Sequence, residues 1–500
     1  MPTDTRLIIV FVVDGLRPDA ITSEDTPTLF RLRREGVEFT DGHAAFPTVT
    51  RVNAATLSTG AQPGAHGIVG NRIYVPAVDP ARAFDTGNYR NLIRLEEVTG
   101  GRLLLVPTLA ERLHARGLRL AGVSSGSTGS SFLLNPKARA GVGTLVNGYL
   151  DPGRTVAYPP EVSEAILGKF GPAPAKRPGA TRFDAAVAWT QRVLREYVLP
   201  ELRPAVVLNW LTEPDHSQHH VGVGSPVARE ALRSDDREIA AVLAALDDLD
   251  LATSTDVLVV SDHGFTTNHT GVDVASYLAH EGHKASLDSR DVILASSGQA
   301  VALYVEGRDR DRIARLARFL HAQEWAGVVF TAGRAPGDPH GAVDGTFSLE
   351  LIHAGGERAP DLLFSFPWSS LPNAFGVPGR DMADVSGGAT FYVSDHGSMS
   401  PWNVRNTFLA WGAGFRERQT VRAPAGNADV VPTILALLGI AETDGLDGRV
   451  LAEALEGGPD PEHVAVQTRV HIAAAGRYRA AIQLSEVEGR RYVDKSWRIR

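Results

Sequence analysis

The chain predicts an α/β fold: a mostly parallel central sheet flanked by helices, carrying a smaller inserted α/β cap. Three observations predict it. Short apolar runs of Val, Ile and Leu recur without polar alternation, helix-like stretches separate them, and carboxylates and imidazoles stand just past their ends. Leu7–Val13, 205–211, 257–260 and 407–411 read as strands covered on both faces, since a strand with one wet face alternates. Residues 108–116 read as a helix that starts after Pro107 and stops at Gly117, with a strand over 118–123. Residues 236–249 and 429–438 read as further helices, the latter closed by Gly439. Alternating strands and helices imply βαβ units.

Elsewhere the pattern is less regular. Residues 125–200 mix Gly, Ser and Pro and read largely as loop. Residues 267–392 carry their own strands (300–305, 327–331, 361–365) and a helix (310–323), which defines the inserted cap. The expected catalytic domain is therefore discontinuous, 1–266 and 393–500, and ends in a strand-like stretch at 478–484. No internal repeat or low-complexity segment interrupts it.

The chain has 500 residues, enough to bury a large core without staples. It has 0 cysteines, which excludes disulfides and thiolate metal sites. Any metal must be held by His, Asp, Glu, hydroxyl or water. A formal net charge of −8 argues against a surface that coats a nucleic-acid polymer. The apolar run at the N-terminus is too short to span a membrane, and the Met1–Arg6 stretch lacks the features of a signal peptide. The expectation is a cytoplasmic protein.

The chemistry lies at the strand ends. Asp14 follows 7–13, Asp215 and His219 follow 205–211, Asp262 and His263 follow 257–260, and Asp395-His396-Gly397 follows a strand-like run at 391–394. In open α/β sheets ligands bind outside the carboxyl ends of strands, so four regions point Asp and His at one place. One Asp-His-Gly is a common turn; two of them together with Asp-x-x-x-His make a zinc or manganese ligand set. A nucleophile candidate lies in Phe46-Pro-Thr-Val-Thr-Arg-Val-Asn53, a turn entering a helix whose N-terminus favours an anion. Thr48 or Thr50 there is either a simple N-cap or a hydroxyl activated by metal. The residues alone leave that choice open.

The register of these motifs resembles the type I phosphodiesterase/nucleotide pyrophosphatase family of the alkaline phosphatase superfamily. The resemblance runs from Phe46-Pro-Thr-Val-Thr50 through Thr59-Gly60, Pro63 and His66-Gly67 to Asn71. It recurs at Val13-Asp14-Gly15, Glu213-Pro-Asp215, His219, Ser261-Asp262-His263-Gly264 and Ser394-Asp395-His396-Gly397, in the family's order. It implies an alkaline phosphatase-like sheet and two zinc ions per chain, with manganese or another divalent metal as the alternative. Asp215, His219 and His396 would hold one ion; Asp14, Asp262 and His263, with the Thr50 oxygen, the other. Thr50 would be the nucleophile, and Asn71 and the Thr50 N–H would donate to phosphoryl oxygens.

The implied activity is hydrolysis of phosphodiesters or nucleotide pyrophosphates through a phosphothreonine, on a small phosphorylated or phosphonate substrate. Phosphonoacetate hydrolysis, phosphomonoester hydrolysis and a catalytically dead zinc-binding protein are the alternatives. The Cys/Ser-x-Pro-x-Arg pattern of sulfatases is missing. One departure bears on substrate: Arg51 stands where the family commonly has an aromatic residue. It suits a phosphate or carboxylate, as would a cap residue such as Lys284, or else it faces solvent or caps another element. His66 reads as structural, His216 and His220 as residues that orient a ligand, Asp395 as a turn former, and Trp210, Trp402 and Trp411 as core or cleft wall. His43, His114, His269, His280 and His283 have no motif support.

Overall fold

The computed structural model describes residues 6–499; the leader reading at Met1–Thr5 lies outside them. A nine-stranded sheet forms the centre. Leu7–Val13 runs parallel between Val206–Leu211 and Thr255–Val260, and Leu120–Ser124 and Thr144–Asp151 continue the parallel set. Phe408–Gly412 joins antiparallel beyond Thr255–Val260, and Thr155–Tyr158 antiparallel at the far edge. The mostly parallel sheet expected from the apolar runs is what the chain forms.

Burial explains the missing alternation. Ile8, Val10 and Val12 pack on one face with residues of the helices Thr50–Thr59 and Val430–Leu437, while Leu7, Ile9, Phe11 and Val13 pack on the other with Pro27–Glu35 and Pro226–Asp248. All seven strand residues are buried, each worth about 1.5–3 kcal/mol of apolar transfer. Leu109–His114 starts where expected because Thr108 and Glu111 form a reciprocal capping box. The helix expected from 236 begins instead at Pro226: the Ser225 hydroxyl accepts from Ala228 N and Pro226 supplies the first turn.

The span 125–200 is not mainly loop. It holds the helices Thr128–Leu134, Pro160–Phe170 and Asp184–Val193 and the last two strands at one side of the sheet. Gly, Ser and Pro there occupy caps and turns between short elements, which hides the periodicity. The cap region builds a five-stranded sheet, with Val292–Ser297, Ala300–Val305 and Leu362–Ser365 side by side and Arg310–Ala322 packed against it. A C-terminal meander, Gln467–Ala475, Tyr478–Val487 and Arg490–Arg498, shares its apolar core with that sheet through Tyr478, Ile482, Phe330 and Phe347. No helix among the described residues is long and apolar enough to cross a membrane.

Candidate metal centre

The carboxyl ends of three parallel strands meet at one cleft. Leu7–Val13 delivers Asp14, Val206–Leu211 leads to Asp215 at the start of the helix Asp215–Val221, and Thr255–Val260 delivers Asp262 and His263. One turn of helix puts His219 on the same side as Asp215, and their Nε2 and Oδ1 atoms lie 3.3 Å apart. The fourth contribution departs from expectation. Residues 391–394 do not form a central strand; Phe391 and Val393 are exposed, and only Ser394–Asp395 pairs, with Thr266 and Thr267. His396 thus arrives from a short strand alongside the chain that leaves His263, and the two imidazoles stack 3.5 Å apart.

Both Asp-His-Gly turns need their glycine. A Cβ on Gly264 would sit 2.1 Å from the Trp402 carbonyl, and Gly397 has φ +123° with the Ser297 carbonyl 2.5 Å from where a Cβ would be.

The site residues form two groups whose ligand atoms cluster within metal-holding distance: Asp215, His219 and His396, and Asp14, Asp215 and His263. Asp215 belongs to both. Asp262 Oδ2 lies 3.0 Å from His263 Nε2. Each histidine is oriented from behind: Nδ1 of His219 donates to the Ser394 carbonyl (3.0 Å), that of His263 to Gly264 (2.9 Å) and that of His396 to Thr48 (2.9 Å). A carbonyl only accepts, so these bonds fix a proton on Nδ1 and turn Nε2 inward, where it can serve a cation in place of its own proton. Trp210 Nε1 donates to Asp14 Oδ2 (2.9 Å), and Gly15 N donates to Asp262 Oδ1 (3.0 Å).

The opposite oxygens, Asp14 Oδ1, Asp215 Oδ1 and Asp262 Oδ2, are buried without a hydrogen-bond partner. Burial, followed by the charges of Asp215 and Asp262, pushes the Asp14 carboxyl well above the usual range. Burial works against a charge on His219, but Asp215 and Asp395 outweigh it and raise the imidazole to about 9. Burial and the neighbouring His263 hold His396 well below its ordinary value. Orphaned oxygens, inward-turned Nε2 atoms and no thiolate fit a divalent cation such as zinc or manganese.

Thr50 begins the helix Thr50–Thr59, and its Oγ1 lies 3.4 Å from His263 Nε2. Thr48 points elsewhere: its hydroxyl donates to the Ser398 carbonyl (2.8 Å). Asn71 Oδ1 accepts from Arg51 N (3.1 Å), which leaves the Asn71 amide donors facing the cleft. The cleft, about 510 Å³, is lined by Thr50, Arg51, Asn71 and the metal-facing groups.

His66 is structural: buried between Thr56 Oγ1 and Ile68 N, it is held by burial down to about 3. His216 does not orient a ligand; its Nε2 bonds the Ala180 carbonyl (2.6 Å) and its ring stacks on Phe183. The His220 ring packs against Tyr392. Asp395 Oδ1 accepts from His396 N (2.9 Å), as a turn former should. Lys284 is turned inward onto the Ser289 and Val292 carbonyls, so it cannot meet a substrate carboxylate.

Lys176, which no motif announced, lines the cleft. Its ammonium donates to Ser125 O (3.0 Å) and lies over the Tyr149 and Phe183 rings, and burial lowers it to about 8. It sits in an irregular Pro/Gly stretch, where periodicity carries no signal.

A family pattern described as Type I phosphodiesterase / nucleotide pyrophosphatase matches residues 8–366. The chain belongs to the Type I phosphodiesterase / nucleotide pyrophosphatase family. Venom phosphodiesterase 2 of Crotalus adamanteus is 22% identical over 276 residues, 55% of this chain and 28% of that protein. Ectonucleotide pyrophosphatase/phosphodiesterase family member 1 of Mus musculus is 23% identical over 261 residues, 51% of this chain and 24% of that protein. The chain thus spans about a quarter of the length of these relatives. Among solved structures, murine ectonucleotide pyrophosphatase/phosphodiesterase 5 superposes with a TM-score of 0.60 at 17% identity, covering 90% of this chain and 100% of that one. A structure of an inactive threonine-to-alanine variant of that murine protein, in complex with AMP, gives 0.58 at 17% identity and covers 88% and 96%. These likenesses establish the alkaline phosphatase-like fold of this family member.

Proposed function

We propose that the chain hydrolyses phosphodiesters or nucleotide pyrophosphates, with Thr50 as nucleophile beside two divalent metal ions, zinc in the first instance. The observation that carries the reading is the Thr50 hydroxyl at a helix N-terminus, 3.4 Å from His263 Nε2 and beside unpartnered carboxylate oxygens. Asp215, His219 and His396 would hold one ion; Asp14, Asp262 and His263, with Thr50, the other. Bound there, the ions would lower the pKa of the Thr50 hydroxyl and neutralise charge developing on phosphorus-bound oxygens.

The chain's own residues do the rest. Thr50 Oγ forms a bond to phosphorus as the bond to the leaving oxygen breaks in line, giving a phosphothreonine; water then cleaves that ester and restores the hydroxyl. The Thr50 N–H, at the N-terminus of Thr50–Thr59, would donate to a phosphoryl oxygen, as a helix N-terminus does for an anion. The Asn71 amide adds a neutral donor, preorganised by its bond to Arg51 N. The inactive threonine-to-alanine variant of the murine relative, with AMP bound, supports a threonine nucleophile and a phosphate-bearing ligand.

The test is turnover of bis-p-nitrophenyl phosphate, p-nitrophenyl phosphate, a p-nitrophenyl nucleotide ester and phosphonoacetate by metal-loaded protein. The expected order places the diester or nucleotide ester first. A preference for the monoester would replace the diesterase reading, and failure on all four with metal bound would sink it.

A further inference from the structure

Arg51 follows Thr50 in the first turn of the helix, so its side chain leaves the backbone beside the attacking oxygen. Its backbone N–H is fixed by Asn71, and its guanidinium lies over Gly87, where a Cβ would come within 2.9 Å of a terminal nitrogen. The nearest counter-charge is Asp85, 3.5 Å away with a carboxylate 47% exposed. An ion pair this long and wet contributes little. The Arg51 side chain is only 20% exposed, and its Nε is buried with no partner. A buried guanidinium N–H without an acceptor is costly, and it marks a place where an acceptor belongs.

The wall continues from there. The Gly87 carbonyl accepts from Gly129 N, and the Gly126 carbonyl, in the same turn, accepts from Lys176 Nζ (3.4 Å). An ammonium has three donors; two of those on Lys176 go to the Ser125 and Gly126 carbonyls. Arg51 and Lys176 are thus two cations lining the cleft that holds Thr50, a cleft that Asp85 and Asp384 line as well.

We propose that Arg51, with Lys176 further along the wall, selects substrates that carry a second anionic group next to the scissile phosphorus. The group is either the neighbouring phosphate of a pyrophosphate or a carboxylate. A planar fork of donors matches both anions and reads the anion, not the identity of a base. This rests on the proposed phosphoesterase reading and adds to it the chemistry of the group beside the reacting phosphate.

The experiment uses the metal-loaded full chain and compares bis-p-nitrophenyl phosphate with a dinucleoside pyrophosphate and with phosphonoacetate, for wild type, Arg51→Met, Arg51→Lys and Lys176→Met. In Arg51→Met, kcat/KM for the second-anion substrates should fall about 10- to 100-fold further than for bis-p-nitrophenyl phosphate, mainly through KM. Arg51→Lys should recover part of that ratio, and Lys176→Met should lose about 10-fold of it. Whichever of pyrophosphate and phosphonoacetate shows the larger Arg51 effect identifies the anion. Calorimetric titration with inorganic pyrophosphate and with phosphate gives a readout free of turnover: Arg51→Met should weaken pyrophosphate by the larger factor. Equal losses on all substrates, or equal weakening of both ligands, would overturn the selection by Arg51 while leaving the phosphoesterase reading intact. A wild type inactive on every substrate would fell that reading, and pyrophosphate binding would then still report on Arg51.

Discussion

Among the described residues, two clusters of carboxylate and imidazole meet the geometric requirement for a metal, and they differ in whether their ligand atoms are already engaged. Asp14, Asp215, Asp262, His219, His263 and His396 converge at the strand ends; Asp41, His43 and Asp494 converge where the C-terminal meander meets the short strand Gly42–His43. In the second cluster the polar atoms of His43 and Asp494 are answered. His43 Nδ1 donates to the Asp41 carbonyl (2.9 Å) and Nε2 to Asp494 Oδ1 (3.0 Å), while Asp494 Oδ2 accepts from Gln483 and Ser485 (2.9 Å each). Burial lowers His43, yet Asp41 and Asp494 outweigh it and the imidazole is held above its ordinary value. In the first cluster each imidazole gives its Nδ1–H to a carbonyl, and three carboxylate oxygens remain buried and unanswered. Proximity alone does not make a metal site. The difference lies in whether the ligand atoms have other partners.

The comparison can be broken in five ways, beginning with the largest effect. Asp215 stands in both metal-holding groups, so Asp215→Asn should lower the bound metal and cut kcat/KM about 10⁴-fold or more, measured by metal analysis and initial rates together. Thr50→Ala should lose turnover on a similar scale but keep its metal. Full activity in either variant would mean that the chemistry is elsewhere. Trp210→Phe removes the donor behind Asp14 and should weaken metal binding about 10- to 100-fold in a chelator competition. An unchanged affinity would show that Asp14 needs no such support.

His43→Gln should cost about 1–3 kcal/mol in a denaturant titration while bound metal and turnover stay at wild-type levels. Loss of metal in that variant would erase the distinction between the clusters. The smallest effect is a pH slope. His43 has a raised folded pKa, so its stabilisation is fully present below the ordinary value of 6.5 and is lost as pH rises through the folded value. His66, held at about 3, has the opposite sign: its neutral form is favoured above 6.5, and stability falls by about 1.4 kcal/mol per pH unit as the medium is acidified below that. Unfolding midpoints across pH should show both limbs in wild type and a shallower alkaline limb in His43→Gln, because His219 contributes an alkaline limb of its own. An alkaline limb as steep as in wild type would place its origin away from His43.

Much of the site was legible because its chemistry is tied to strand ends. A strand buried on both faces is a continuous apolar run, and the polar residues just past it are delivered to the sheet's carboxyl edge. That is why Asp14, Asp215 and Asp262 stand out, and His219 follows from helical spacing. His396 was legible only as a motif. Its strand is two residues long and is held by pairing with Thr266 and Thr267, a contact no local pattern announces. The helices between 128 and 193 were missed for a related reason: short elements rich in Gly, Ser and Pro draw their stability from packing and not from periodicity.

The sequence by itself determined the α/β class, the inserted cap, the set of Asp and His residues at the centre and the family register, because these depend on local polarity and spacing. Tertiary structure decided between neighbours. Thr48 and Thr50 are equivalent as isolated hydroxyls, but the fold gives Thr48 to the Ser398 carbonyl and leaves Thr50 beside His263. Lys284 and Lys176 are equivalent as isolated cations, but one is turned onto carbonyls within the cap and the other lines the cleft. A hydrogen bond has a partner and a direction, and both are set by segments that meet only when the chain is folded.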